Sequence, residues 1–208
     1  MELIDILQNR RMTRQFSSKG IDDELIKNMA ALALSSPTAG NCQGVDILIL
    51  NEKQSVEHFW EISTTDGWHN NQKIASIKKA PVIIIPLYSI KKYTDRYSKE
   101  DKKDSGLYKL GSDQWGVPFW LTDVSFMTMT ILLLAENYGL GALFFQLHRS
   151  QEEILRSFMI PDDMQTIGAI AIGRRSDPDA VHNYRNVTDA DRIYVSKAKN
   201  QRIHINHW

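Results

Sequence analysis

Arg10, Arg11 and Arg14 crowd three guanidinium groups into a few residues, directly after a short apolar-periodic segment marked by Leu3, Ile6 and Leu7. Like charges this close repel one another unless an anion sits among them. The guanidinium fork also matches the oxygens of a phosphate. The chemistry on offer is therefore anion binding; a solvated basic turn is the competing reading, because exposed charges often contribute little. A second stretch, Ser35-Ser36-Pro37-Thr38-Ala39-Gly40-Asn41-Cys42-Gln43, gathers small residues, backbone amides and two carboxamides between a helical pattern and a strand-like run. Asn41 and Gln43 can each donate and accept hydrogen bonds. An Asx-type turn ahead of a strand accounts for them without a ligand. Cys42 has no basic neighbour or paired histidine in the segment and reads as a small packing residue.

Taken in order and at this spacing, the two stretches resemble the FMN-dependent nitroreductase-like family. Its opening signature, Arg-Arg-x-x-Arg-x-Phe, is matched by Arg10, Arg11, Arg14 and Phe16. Its later Ser-Pro-(Ser/Thr)-x-x-Asn-x-Gln is matched by Ser36, Pro37, Thr38, Asn41 and Gln43. The resemblance implies an α+β nitroreductase-like fold, with a central mixed, mainly antiparallel sheet flanked by helices. It implies an interlocked homodimer in which a C-terminal arm, residues 191–208 of a single domain spanning 1–208, exchanges a strand with the partner. It also implies non-covalent FMN. Arg10, Arg11, Met12 and Arg14 would hold its phosphate, helped by Lys199 and Arg202 from the tail. Pro37, Thr38, Asn41 and Gln43 would line its ring. Phe144, Phe145 and Gln146 would lie near the ring, just after a Gly139-Leu140-Gly141 stretch like one in the family. Two positions depart from the pattern: Met12 stands where the family often has Ser or Thr, and Gly44-Val45 where it often continues Pro-Trp.

The activity implied is reduction of a small, aromatic or quinone-like acceptor by NADH or NADPH in ping-pong hydride transfer. The flavin carries the chemistry, so no catalytic side chain is expected. An FMN-binding storage or sensing protein without turnover is the alternative. Tyr108 and Trp115, in a charged stretch over residues 91–116 with no apolar period, are the expected substrate-binding residues. A segment of that kind inside a domain is often a lid or a loop over a site, and a solvated insertion is the other reading.

The elements that must position these residues follow from periodicity. Helices are expected over 2–9, 21–34, 54–62, 70–79 and 118–138. Asp22 is the expected N-cap of the second, with Leu25, Ile26, Met29, Leu32 and Ala33 on its inner face. Pro118 and Gly139 bound the last. Strands are expected over 45–50, 82–85, 141–147, 167–172 and 202–207, the second of them covered on both faces because it shows no polar alternation. Ser150 to Glu153 reads as a capping box opening a further helix. Arg174-Arg175, which could serve the phosphate in place of the tail, directly follows a strand and reads rather as part of a surface ion pair.

Length and composition are those of an ordinary globular chain: 208 residues, 42% hydrophobic and 24% charged, with formal net charge zero. That balance argues against a general nucleic-acid binder. The one cysteine leaves no intrachain disulfide and no multi-cysteine metal site, and the six histidines lack metal-ligand spacing, so no metal is expected. With no secretory signal visible, a cytoplasmic location is the expectation. The apolar run from Val117 to Leu134 is interrupted by Asp123 and reads as a buried helix, not a membrane span. The last 17 residues carry Arg192, Lys197, Lys199 and Arg202 and no acid, a second cationic element far from the first.

Overall fold

Four apolar residues in succession, Val82 to Ile85, set the centre of the molecule. In the computed structural model, which describes residues 2–64, 72–147 and 151–176, they begin strand β2 (Val82–Tyr88), buried along its whole length. Alternation of side chains along a strand sends Val82, Ile84 and Tyr88 to one core and Ile83, Ile85 and Leu87 to another. The sheet is therefore the middle of three layers.

Strands β1 (Val45–Leu50), β3 (Gly141–Phe145), β4 (Gln165–Thr166) and β5 (Ala169–Gly173) complete it. The order is β1-β2-β5-β3, with β4 beside β2, and every ladder is antiparallel. β2 extends three residues beyond the expected end at Ile85, through Pro86. Proline has no N–H for a ladder bond. The other side of the sheet accommodates it with a break between β4 and β5, where Gly168 takes φ 147° and the Thr166 hydroxyl donates to the Pro86 carbonyl at 2.7 Å.

The helices flank this sheet. On one face pack α2 (Asp23–Ala33), α5 (Ile90–Tyr97) and the long α6 (Phe119–Asn137). On the other lie α3 (Lys53–Ser63) and α7 (Gln151–Ser157), with α4 (Gln72–Ile77) leading into β2. α1 (Leu3–Asn9) opens the chain. Asp22 caps α2 as expected, accepting from the Leu25 N–H at 3.2 Å. Leu32, placed on the inner face by periodicity, is instead 49% exposed, and Ala30 takes the inner position. α6 ends at Gly139 (φ 69°), where the Gly139 and Leu140 N–H groups close on the Glu136 and Ala135 carbonyls.

By length and composition α6 is apolar enough to cross a membrane. Its inner face, with Val124, Met127, Ile131 and Ala135 fully buried, is the core of one layer. The stretch 91–116 is not the structureless segment expected: it forms α5 and then three 3-10 turns, Glu100–Ser105, Leu107–Lys109 and Ser112–Gln114. Apolar periodicity does not mark this helix, because its buried residues, Tyr93 and Tyr97, are amphipathic and stand among charges. The described residues, up to Ser176, belong to one compact unit. The arm, the strand over 202–207, Lys199, Arg202 and Ser150 of the capping box lie outside the described residues.

Candidate functional site

The arginine stretch leaves α1 and runs along the sheet. Met12 bridges Ala142 of β3 in parallel, and Phe16 bridges Arg175 antiparallel. Backbone bonds continue the seam: the Thr13 N–H donates to Ala142 O, the Ser17 N–H to Arg174 O and the Ser176 N–H to Gln15 O. Two glycines admit this segment. A Cβ on Gly141 would stand 2.6 Å from Thr13 Oγ1, and one on Gly173 would stand 2.8 Å from the Phe16 ring. The three arginines are thus held by a backbone fixed on the sheet, and they differ in what they do. Arg11 folds back, its Nη1 donating to Gln8 O at 2.7 Å and Arg10 O at 2.8 Å, which caps the end of α1. Arg14 is exposed, with one long contact to Met12 O at 3.4 Å. Arg10 has a buried Nη1 with no hydrogen-bond partner among the described residues.

Beside this seam, Arg175 donates to Glu136 near the end of α6 at 2.5 Å, and the two side chains are only 13% and 10% exposed. The surface ion pair read from the sequence is in fact a largely buried one, because β5 delivers Arg175 under the turn that closes α6. Arg174 is exposed.

The second stretch forms a 3-10 turn, Ala39–Asn41, tied to the N-terminal half of α6. Gly40, Asn41 and Gln43 all have positive φ (61°, 51° and 53°). Such a conformation suits glycine, is tolerated by asparagine and strains glutamine. Gln43 Nε2 donates to Asn41 Oδ1 at 2.8 Å, and the Gln43 N–H donates to Thr38 Oγ1 at 3.1 Å. Pro37, Asn41 and Gln43 are exposed and Thr38 half-buried. The Asn41 amide donors and Gln43 Oε1 have no partner among the described residues. Cys42 is partly buried; burial first, then the negative Asp123, pushes its thiol up to about 11. That agrees with a packing role.

The turn rests on residues that motif reading passed over. Asp123, 3% exposed, accepts from the Ala39 N–H at 2.8 Å and from the Tyr93 hydroxyl at 2.7 Å through the same oxygen. Arg96 Nε donates to Gly40 O at 2.7 Å, while its other two nitrogens grip Asp101. A signal for Asp123 was present: it is the one acid within the otherwise uncharged first four turns of the most apolar helix.

The remaining expected residues are dispersed. β3 alternation sends Phe144 and Phe145 to opposite faces. Phe144 joins the α6 side, and Phe145 stacks on Trp60 at 5.4 Å between centroids. Gln146 is exposed. Tyr108 is 44% exposed, with the Lys109 ammonium over its ring. Trp115 is 6% exposed and packs among Tyr97, Phe119 and Trp120, because the turns over 100–114 return it to the core; its indole Nε1 is buried with no hydrogen-bond partner among the described residues. A cavity of about 440 Å³ opens beside β1, lined in part by Leu48, Lys92, Met159 and Asp163, and none of the predicted site residues lines it. Among the described residues no cluster of His, Cys, Asp or Glu is fit to hold a metal.

A two-flanked antiparallel sheet with an arginine segment stitched to one end defines a class. The model of the nitroreductase family matches residues 7–174, and the chain belongs to that family. A protein of Methanothermobacter thermautotrophicus, provisionally named an NADH dehydrogenase/NAD(P)H nitroreductase, is 25% identical over 95% of this chain and 88% of its own length. The nitroreductase CinD from Lactococcus lactis, solved with nicotinic acid, superposes with a TM-score of 0.72 at 20% identity, over 92% of this chain and 97% of that one. A provisionally assigned nitroreductase from Exiguobacterium sibiricum, solved with FMN, gives a TM-score of 0.64 at 15% identity, over 86% and 90%.

Proposed function

We propose that this protein is an FMN-dependent oxidoreductase that draws on NADH or NADPH to reduce a small aromatic or quinone-like acceptor, and that it works as a homodimer. The observation that carries the reading is the buried, unpartnered Nη1 of Arg10. A charged donor withheld from water and left unbonded costs about 1–3 kcal/mol or more. A phosphate oxygen is the partner best able to recover that cost. Arg14 adds a solvent-facing cation nearby in sequence, and Lys199 and Arg202 of a second subunit's tail complete the proposed set. Asn41 and Gln43 present an outward donor and acceptor, the pairing that a flavin's alternating carbonyl and N–H edge requires.

When bound, FMN would supply hydride acceptance from the nicotinamide and delivery to the acceptor. The chain's own part is to hold the anion, to orient the ring edge and to keep the site dry. The relatives' NAD(P)H names and the FMN and nicotinic acid of two solved neighbours support this reading. Exposed apolar residues on α1 (Leu3, Ile4, Leu7) and α6 (Leu121, Phe126, Met129) support the dimer, since a patch of this kind commonly marks an interface.

The test is the visible spectrum of the purified protein, followed by anaerobic NADH or NADPH. Yellow protein that bleaches within seconds and is reoxidised by a quinone is the expected result. Yellow protein indifferent to both nucleotides would make it a flavin-holding protein, and protein that neither carries nor takes up FMN would overturn the proposal.

A further inference from the structure

We infer that Asp123 and Tyr93 are positioning residues for the cofactor, holding Asn41 and Gln43 in the left-handed backbone conformations that turn their carboxamides outward. The inference rests on the FMN reading and extends it to residues that touch no ligand.

A carboxylate inside an apolar helix layer is expensive unless it is well bonded. Asp123 spends one oxygen on two donors, the Ala39 N–H and the Tyr93 hydroxyl. The helix itself has no use for either bond. Their effect falls on the turn. Ala39 is tied at its N–H, and Gly40 is tied at its carbonyl by Arg96. Gly44 is closed from beneath by the Tyr93 ring, which leaves a Cβ only 2.3 Å from Tyr93 Cε2. These ties bracket Asn41 and Gln43, the two non-glycine residues of the turn with positive φ. Isolated, such a turn would relax toward ordinary φ, swinging both carboxamides. The Gly44 departure from the family pattern has the same origin: a proline ring or any side chain there would displace Tyr93.

The titratable groups that interact with Asp123 are the Tyr93 hydroxyl, bonded to it directly, and Tyr97 and Cys42 nearby.

The experiment compares wild type, Tyr93→Phe, Asp123→Asn and a control, Phe59→Leu, which loosens the core on the far face of the sheet. Deuterium uptake of the peptide spanning 37–44 is measured on cofactor-free protein. FMN affinity and the fine structure of the bound-flavin band are measured on reconstituted protein. In Tyr93→Phe and Asp123→Asn, uptake in 37–44 is expected to rise. The FMN dissociation constant should rise about tenfold, the loss of one buried bond, and the band should shift. In Phe59→Leu, 37–44 uptake and the band should stay as in wild type. Should Asp123→Asn fail to fold, Tyr93→Phe, which removes a single hydroxyl, carries the test. Unchanged uptake in 37–44, or raised uptake with wild-type affinity and band, would overturn the inference. Wild type that binds no FMN overturns the function proposal instead, and the exchange result then still decides whether the pair holds the turn.

Discussion

Truncating Arg10 separates folding from binding. In the cofactor-free chain its buried Nη1 contributes no hydrogen bond, so Arg10→Ala should leave the melting temperature within a few degrees of wild type. The FMN dissociation constant should rise about ten- to hundredfold, as expected for one charge-assisted bond to a phosphate. Fluorescence-quenching titration and a thermal melt check both halves; equal losses in each would mean Arg10 is structural. Arg11 is a different case, because its guanidinium already caps α1. Sequence marked the three arginines alike, since spacing reports proximity and not what each fork grips. The burial of Trp115 was hidden for a related reason: an aromatic among charges and glycines looks exposed until the intervening turns fold it back. Sequence passed over Asp123 because one acid in an apolar run reads as an interruption until its partners, 84 and 30 residues away, are known.

Between elements, the junction of α6, β3 and β5 is held by the Glu136–Arg175 pair. Glu136→Gln leaves Arg175 charged, mostly buried and without its anion. It should cost about 3 kcal/mol in urea denaturation, while Glu136→Leu with Arg175→Met recovers most of that loss. A double variant no better than the single one would show that the pair does not act as a unit. At this scale the chain was largely legible. The fully apolar β2, the Asp22 cap and the glycine close of α6 are local patterns with local causes. The strand ends were not, because Pro86 reads as a stop, whereas the Gly168 break that lets β2 run on lies about eighty residues later. Sheet order was likewise hidden, resting on ladders between distant segments.

For the whole molecule, the exposed apolar side chains of α1 and α6 are the feature to explain. Phe126, at 48% the most exposed of the three apolar residues on the outer face of α6, should lie at the centre of the proposed subunit contact. Phe126→Glu is expected to halve the mass seen by sedimentation equilibrium and to lower FMN retention with it, since a buried unpaired carboxylate opposes association. A variant that stays dimeric would place the contact elsewhere. Family membership supplied the expectation of a dimer; composition alone could not, because a 208-residue chain can build a full core unaided.

Gly141 and Gly173 face each other across the β3–β5 ladder, beneath Thr13 and Phe16. Neither has a side chain that could react, yet a single methyl at either would lift the arginine segment from its seat. What this corner demands is room. A neutral-looking alanine there would silence the protein as thoroughly as the loss of a charge, because the seat of the arginines matters as much as the arginines themselves.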